Sequence, residues 1–187
     1  MLFRSPKLKG NKGSKQAPLF DLRSELYRIT GIDWTQVNGI DVLTAQTVIP
    51  EAGPDRSAFP SEKHFTRWLG LTPTNQPSGG KILDRRTRQV KHRGATALRQ
   101  AASAWLRSQS YLGAQYRRLR TRLGAPKAMT AMARKLACLF DRLIQHGQQY
   151  VDKGTEYYEE RYREQQIRAV LRKAHKLGLQ VVMPKPA

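Results

Sequence analysis

Fifty-six consecutive residues, Arg85 to Phe140, contain no aspartate or glutamate and carry fourteen arginines and lysines. A stretch like this cannot neutralise its own charge. It has to fold into elements that bury alanine and leucine on one side, leaving the cations in water or against an anionic partner. Just before it stands Pro77-Ser78-Gly79-Gly80-Lys81, a serine flanked by residues that crowd it little.

The rest of the chain does not restore the balance. Over 187 residues, 34 Lys and Arg face 14 Asp and Glu, a formal charge of +20 and a pI near 10.7. That excess points to a polyanion, because counterions released from it favour binding. Such a length suits one domain with a moderate core and tails. The single cysteine, Cys138, sits in an apolar helical run from Ala131 to Phe140 and reads as a small core residue. No apolar stretch approaches the ~18 residues of a membrane span, and the N-terminus has no hydrophobic segment of signal type. The expectation is a soluble, cytoplasmic chain in a reducing compartment.

Residues 1–18, with Arg4, Lys7, Lys9, Lys12 and Lys15 among Gly, Ser, Asn and Pro, show no hydrophobic period and read as a disordered basic linker. A helix is predicted over 19–30, with Leu22, Leu26 and Ile29 on one face and Gly31 as its stop. Two short helices around Asn38-Gly39-Ile40, with Ala45 for close packing, have the form of a helix-hairpin-helix element. In such an element backbone N–H groups near Gly39 point at a phosphate. A carboxylate at Asp41 opposes that role, unless Asp41 caps the second helix. Pro50, Gly53 and Pro54 break the chain, and Ser61 opens a helix closed by Gly70. Residues 71–80 read as loop, and 82–92 as a short basic hairpin or irregular chain. From Gly94 on, helices are predicted over about 94–109, 111–123, 126–147 and 154–177. The architecture is all-α or mainly α: a helix-hairpin-helix-like start, a basic loop bearing the serine, a helical bundle and a long C-terminal helix.

Ser78 is the sharpest chemical candidate, with Lys81 and Arg85 close behind it in sequence. Pro-Ser-Gly-Gly-Lys is also an ordinary turn composition, and both readings stand on the residues alone. Residues 36 to about 147 go further, through Val37-Asn38-Gly39-Ile40-Asp41 with Thr44-Ala45, Phe59-Pro60-Ser61-Glu62-Lys63-His64-Phe65, and Trp68-Leu69-Gly70-Leu71-Thr72-Pro73. They continue with Ser78-Gly79-Gly80-Lys81, Ala97-Leu98-Arg99, and Lys127-Ala128 through Ala133-Arg134-Lys135-Leu136-Ala137. In order and spacing these resemble the C-terminal serine-bearing domain of the insertion-sequence transposases that pair it with an RNase-H-like DEDD nuclease domain, the bridge-RNA-guided recombinases.

The resemblance implies DNA strand exchange, with Ser78 as nucleophile on a phosphodiester and nuclease-domain carboxylates holding divalent metal. It implies DNA as partner, with a guide RNA, a nuclease domain or full-length transposase, and further copies of the chain as additional ones. No cofactor is expected on this chain alone, and magnesium only with the nuclease domain. That nuclease domain is absent from the 187 residues, so the chain reads as a truncated copy or the product of a split gene, binding DNA or RNA and cleaving neither by itself. The expected organisation is a linker over 1–18, the serine domain over 19–147, and a charged helix and tail over 148–187.

Phosphate contacts are expected at Gly39, Gly79, Gly80, Lys81, Arg85, Arg86, Arg88, Lys91, Arg93, Arg117, Arg118 and Arg120. His64, His92, His146 and His175 make no metal spacing with Cys138, and no metal site is expected. His92, between Lys91 and Arg93, reads as a phosphate contact or an exposed residue. Trp34, Trp68 and Trp105 fall at apolar helical positions and read as core. Glu51 and the other isolated acids read as helix-start or solvated residues. Two further readings stay open: a non-catalytic nucleic-acid-binding helical module in which Ser78 only shapes a turn, and an RNA-binding structural protein.

Overall fold

The computed structural model describes residues 18–53, 59–74, 76–78, 81–84, 86–88, 90–147 and 154–181, with the backbone alone at 76–78, 81–84, 154 and 155. The helices are α1 (Leu22–Thr30), α2 (Val42–Ala52), α3 (Glu62–Trp68), α4 (Arg93–Ala104), α5 (Tyr111–Leu123), α6 (Ala125–His146) and α7 (Gly154–Lys176). Two 3₁₀ turns, Trp34–Gln36 and Trp105–Arg107, interrupt them, and one antiparallel hairpin, β1 (Gln76–Ser78) and β2 (Lys81–Asp84), lies between α3 and α4. The fold is mainly helical, as the periodicity predicts. The expected linker over 1–18 lies almost wholly outside the described residues.

Alanine sets how closely the helices approach. α6 buries Ala128, Ala133 and Ala137 beside Met132, Leu136 and Phe140, and α4, which packs on it, buries Ala95, Leu98, Ala101 and Ala102. Small side chains at such contacts bring helix axes together, and the larger residues fill the remaining volume. α3 and α5 also pack on α6, while α2 packs on α4. Two indoles complete this core. Trp34 stacks on Phe140 with centroids 4.1 Å apart, and its Nε1 donates to Thr30 Oγ1 at 3.1 Å. Trp105 is fully buried and donates its Nε1–H to the Asn38 carbonyl. Trp68 departs from the expectation: it keeps 39% of its surface exposed.

Local signals start and stop these helices. Asp21, Asp41 and Ser110 cap α1, α2 and α5 by accepting from the amides of Ser24, Thr44 and Gly113. Asp41 is therefore a cap. Ser61 precedes α3 without capping it, its Oγ lying 2.9 Å from His64 Nδ1 instead. Pro50 does not stop α2, which runs two residues further to Ala52 before Gly53 ends it. Leu22 and Leu26 anchor α1, whereas Ile29 stays exposed.

The hairpin sits earlier than the sequence suggests, in part within the 71–80 stretch read as loop. Gln76-Pro77-Ser78 has no β-branched residue and contains a proline, so its composition argues against a strand. The pairing tolerates Pro77 because a two-stranded ribbon leaves one edge of each strand without a partner.

Candidate nucleic-acid interface

The hairpin is fastened at its base. The Thr74 amide and hydroxyl both donate to the Arg86 carbonyl, at 3.0 and 2.9 Å, and Pro73 bridges Thr87. Ser78 ends β1 opposite Lys81, the first residue of β2. Gly79, Gly80 and Arg85 lie outside the described residues, as do the side chains of Ser78 and Lys81.

Below the hairpin a tertiary contact replaces a helix cap. His92 precedes α4 without bonding its amides. Glu51, from the last turn of α2, supplies the missing acceptor: its Oε2 takes the Gly94 N–H at 3.0 Å and lies 2.8 Å from His92 Nδ1. His92 is not an exposed residue, since only 12% of its side chain is accessible and it stands edge-on to Trp68, 4.2 Å between centroids. Phe59 and Phe65 complete this aromatic cluster. Glu51 thus ties the return from the hairpin to α2, and Trp68 ties it to α3. Glu51 is 43 residues from Gly94 in sequence, so no local pattern reveals the pairing.

The expected cations fall into two sets on different elements. Arg86, Arg88, Lys91 and Arg93 are all exposed and lie between the hairpin and the start of α4. Arg93 leans towards Glu51, 3.8 Å away, but keeps 86% of its side chain accessible. The second set is on α5, and two of its members have structural work. Arg117 donates to the Ser108 carbonyl at 2.7 Å, closing the turn after Trp105. Arg118 pairs with Glu159 of α7 and lies 3.7 Å over the Tyr162 ring; the bond it donates to Glu159 pushes its pKa further up. Arg120 is exposed.

Gly39 has φ +90°, and a Cβ there would stand 2.5 Å from Trp105 Nε1 and 2.9 Å from the Ala101 carbonyl. Packing alone therefore requires glycine at this position. Elsewhere, Asp33 accepts two bonds from Arg23, at 2.6 and 3.1 Å. Burial pushes its pKa up, but the bonds from Arg23, Gln36 and Thr35 prevail and hold it at about 2. Burial pushes the half-buried Cys138 thiol up, which keeps it from thiolate chemistry.

Among the described residues, no three His, Cys, Asp or Glu side chains converge to hold a metal ion. No described helix is long and apolar enough to cross a membrane.

Fold and site together define a cationic, mainly helical domain that carries a serine at the end of a strand. Residues 34–117 match the family model described as Transposase IS116/IS110/IS902 family. Those residues thus form an IS110-type transposase domain, and the match supports a role in transposition. The matched stretch contains the hairpin and the Glu51–His92 contact and ends within α5. The family implies interaction with DNA. No curated protein and no solved structure matches the chain.

Proposed function

We propose that this domain grips DNA through its exposed cations and presents Ser78 as the nucleophile of a composite active site. The observation that carries the reading is the placement of Ser78. It closes β1 opposite Lys81, on a hairpin whose base is tied to α2 and α3 and whose return leads into four exposed cations. A serine nucleophile needs this kind of positioning, because phosphoryl transfer is mostly alignment and charge stabilisation.

In the proposed step the Ser78 oxygen forms a bond to phosphorus and one bridging strand oxygen leaves. The serine proton ends on that leaving oxygen, so a phosphodiester is exchanged for a phosphoserine diester and a free hydroxyl. A serine hydroxyl is a weak nucleophile until something activates it. We assign that activation to groups outside the described residues, a DEDD nuclease domain with its magnesium. By itself the domain then binds DNA and does not cut it.

Mixing the chain with a DEDD nuclease domain, magnesium and the ends of the element should give strand cleavage with DNA attached to the protein. Ser78→Ala should abolish the attachment and leave DNA affinity nearly unchanged. Equal cleavage by Ser78→Ala and the parent would remove the nucleophile from this reading. If ~6–10 phosphates are contacted, affinity should fall about 10³–10⁵-fold between 50 and 200 mM salt.

A further inference from the structure

α7 outlasts the helix it rests on. Tyr111, at the start of α5, meets Tyr157 and Tyr158, and Arg118 meets Glu159 and Tyr162. The two helices therefore run in the same direction. From Arg118, α5 continues only to Leu123, whereas from Tyr162 α7 continues to Lys176. At 1.5 Å per residue, α7 overhangs the end of α5 by about 13 Å. The overhang begins near residue 167.

The overhang is chemically unlike the docked half. Glu156, Glu159, Glu160 and Glu164 all lie in the first half, and no Asp or Glu follows Glu164. At 100° per residue, Arg161, Arg168, Arg172 and Lys176 form a ridge about 80° wide. That ridge continues the line of the docked tyrosines, so past the end of α5 it faces the corner between the two helices. Ile167, Val170, Leu171, Ala174 and Leu177 form a stripe centred about 160° away. Gln165, Arg168, Leu171 and Arg172 line an open trough of about 690 Å³ on the overhang. Arg120 and Arg122 at the end of α5, and Lys127 in the first turn of α6, are also exposed.

Helix-end electrostatics does not account for the ridge. Cations in a last turn complement the carbonyl end of a helix, which covers Lys173 and Lys176 but not Arg168 or Arg172. Arg168 has an exposed partner in Glu164 at 3.2 Å, and no Asp or Glu bridges Arg172 or Lys176 among the described residues. Concave surfaces lined by one sign of charge focus their field and draw in the opposite ion.

We propose that the corner between the α7 overhang and the end of α5 is a nucleic-acid backbone site, separate from the one beside the hairpin. It rests on the reading of the domain as a DNA-gripping module and adds a second place of contact. A chain with both sites can hold two strands or duplexes at once. The site recognises phosphate through charge.

The test compares R168Q/R172Q/K176Q with R86Q/R88Q/K91Q/R93Q by titrating a DNA duplex and an RNA hairpin of equal phosphate number across salt. Circular dichroism should show unchanged helix content in both variants. The α7 variant should lose up to about 2.7 from the log–log salt slope, at ~0.9 per phosphate, so its affinity drop between 50 and 200 mM shrinks by about 40-fold. The hairpin-side variant should lose slope independently, and the double variant the sum. The nucleic acid whose slope falls is the occupant; if both fall, backbone charge alone is read. An unchanged slope for the α7 variant, beside a loss for the hairpin-side variant, overturns this site and leaves the first reading standing. A parent chain that binds neither nucleic acid overturns both. Binding of phosphatidylserine vesicles that needs these three cations, with duplex affinity unmoved, makes the corner a lipid contact and overturns the proposal.

Discussion

Replacing Gly39 by alanine separates a packing role from a phosphate-contacting one. The new Cβ would stand 2.5 Å from Trp105 Nε1 and 2.9 Å from the Ala101 carbonyl, at a φ of +90°. The left-handed backbone alone costs an L-residue roughly 1–2 kcal/mol. Neither neighbour yields easily, since Trp105 is fully buried and Ala101 is part of α4. Over-packing of this kind costs about 1–3 kcal/mol. Displacing the indole also weakens its bond to the Asn38 carbonyl, a further ~0.5–1.5 kcal/mol. These overlap, and Gly39→Ala should lose about 2–5 kcal/mol in urea unfolding followed by circular dichroism. Trp105→Phe, which keeps most of the ring and removes the donor, should lose less. In conditions where Gly39→Ala is fully folded, its affinity for a DNA duplex should stay within a few-fold of the parent. A loss below ~1 kcal/mol refutes the packing argument. Normal stability with collapsed affinity makes Gly39 a phosphate contact first.

Three further outcomes follow from particular contacts. Glu51→Ala should cost about 1–3 kcal/mol by leaving the Gly94 amide without its acceptor and removing the carboxylate beside His92, and Glu51→Gln should cost less; urea midpoints measure both. Gly113→Ala should destabilise although alanine is the better helix former by ~1 kcal/mol, because a Cβ there overlaps the Ser108 carbonyl; a higher melting temperature contradicts this. Asp33 has a folded pKa of about 2 against 3.8 when unperturbed. Its contribution is fully present above pH ~4 and is lost as pH falls through 2, about 1–2 kcal/mol after allowance for solvent screening. Asp33→Asn should flatten that part of the stability-versus-pH curve.

The helices were legible because their signals are local. Gly31 and Asp41 mark ends, and the alanines and leucines of α4 and α6 repeat with helical period; the caps Asp21 and Ser110 emerge only in the structure. The hairpin was harder to read, since Gln76-Pro77-Ser78 has neither strand composition nor alternation, and its pairing is set by the Thr74–Arg86 closure. The Glu51–His92–Trp68 contact had no sequence signal at all, being assembled from three elements far apart in the chain. His92 consequently read as a phosphate contact or an exposed residue, and Glu51 as a helix-start or solvated one. The arginines of α5 show the same limit: charge counts them alike, but Arg117 closes a turn and Arg118 holds α7, while Arg120 stays in solvent. Ser78 stood out only through its glycines and through the resemblance of the whole pattern.

The most direct measurement is the site of covalent attachment. Cleavage carried out with the nuclease domain supplied, followed by nuclease trimming, proteolysis and mass spectrometry, should find a nucleotide phosphate on the peptide containing Ser78. Strand cleavage with the phosphate linked to any other residue, or with no protein–DNA linkage formed, would contradict the account.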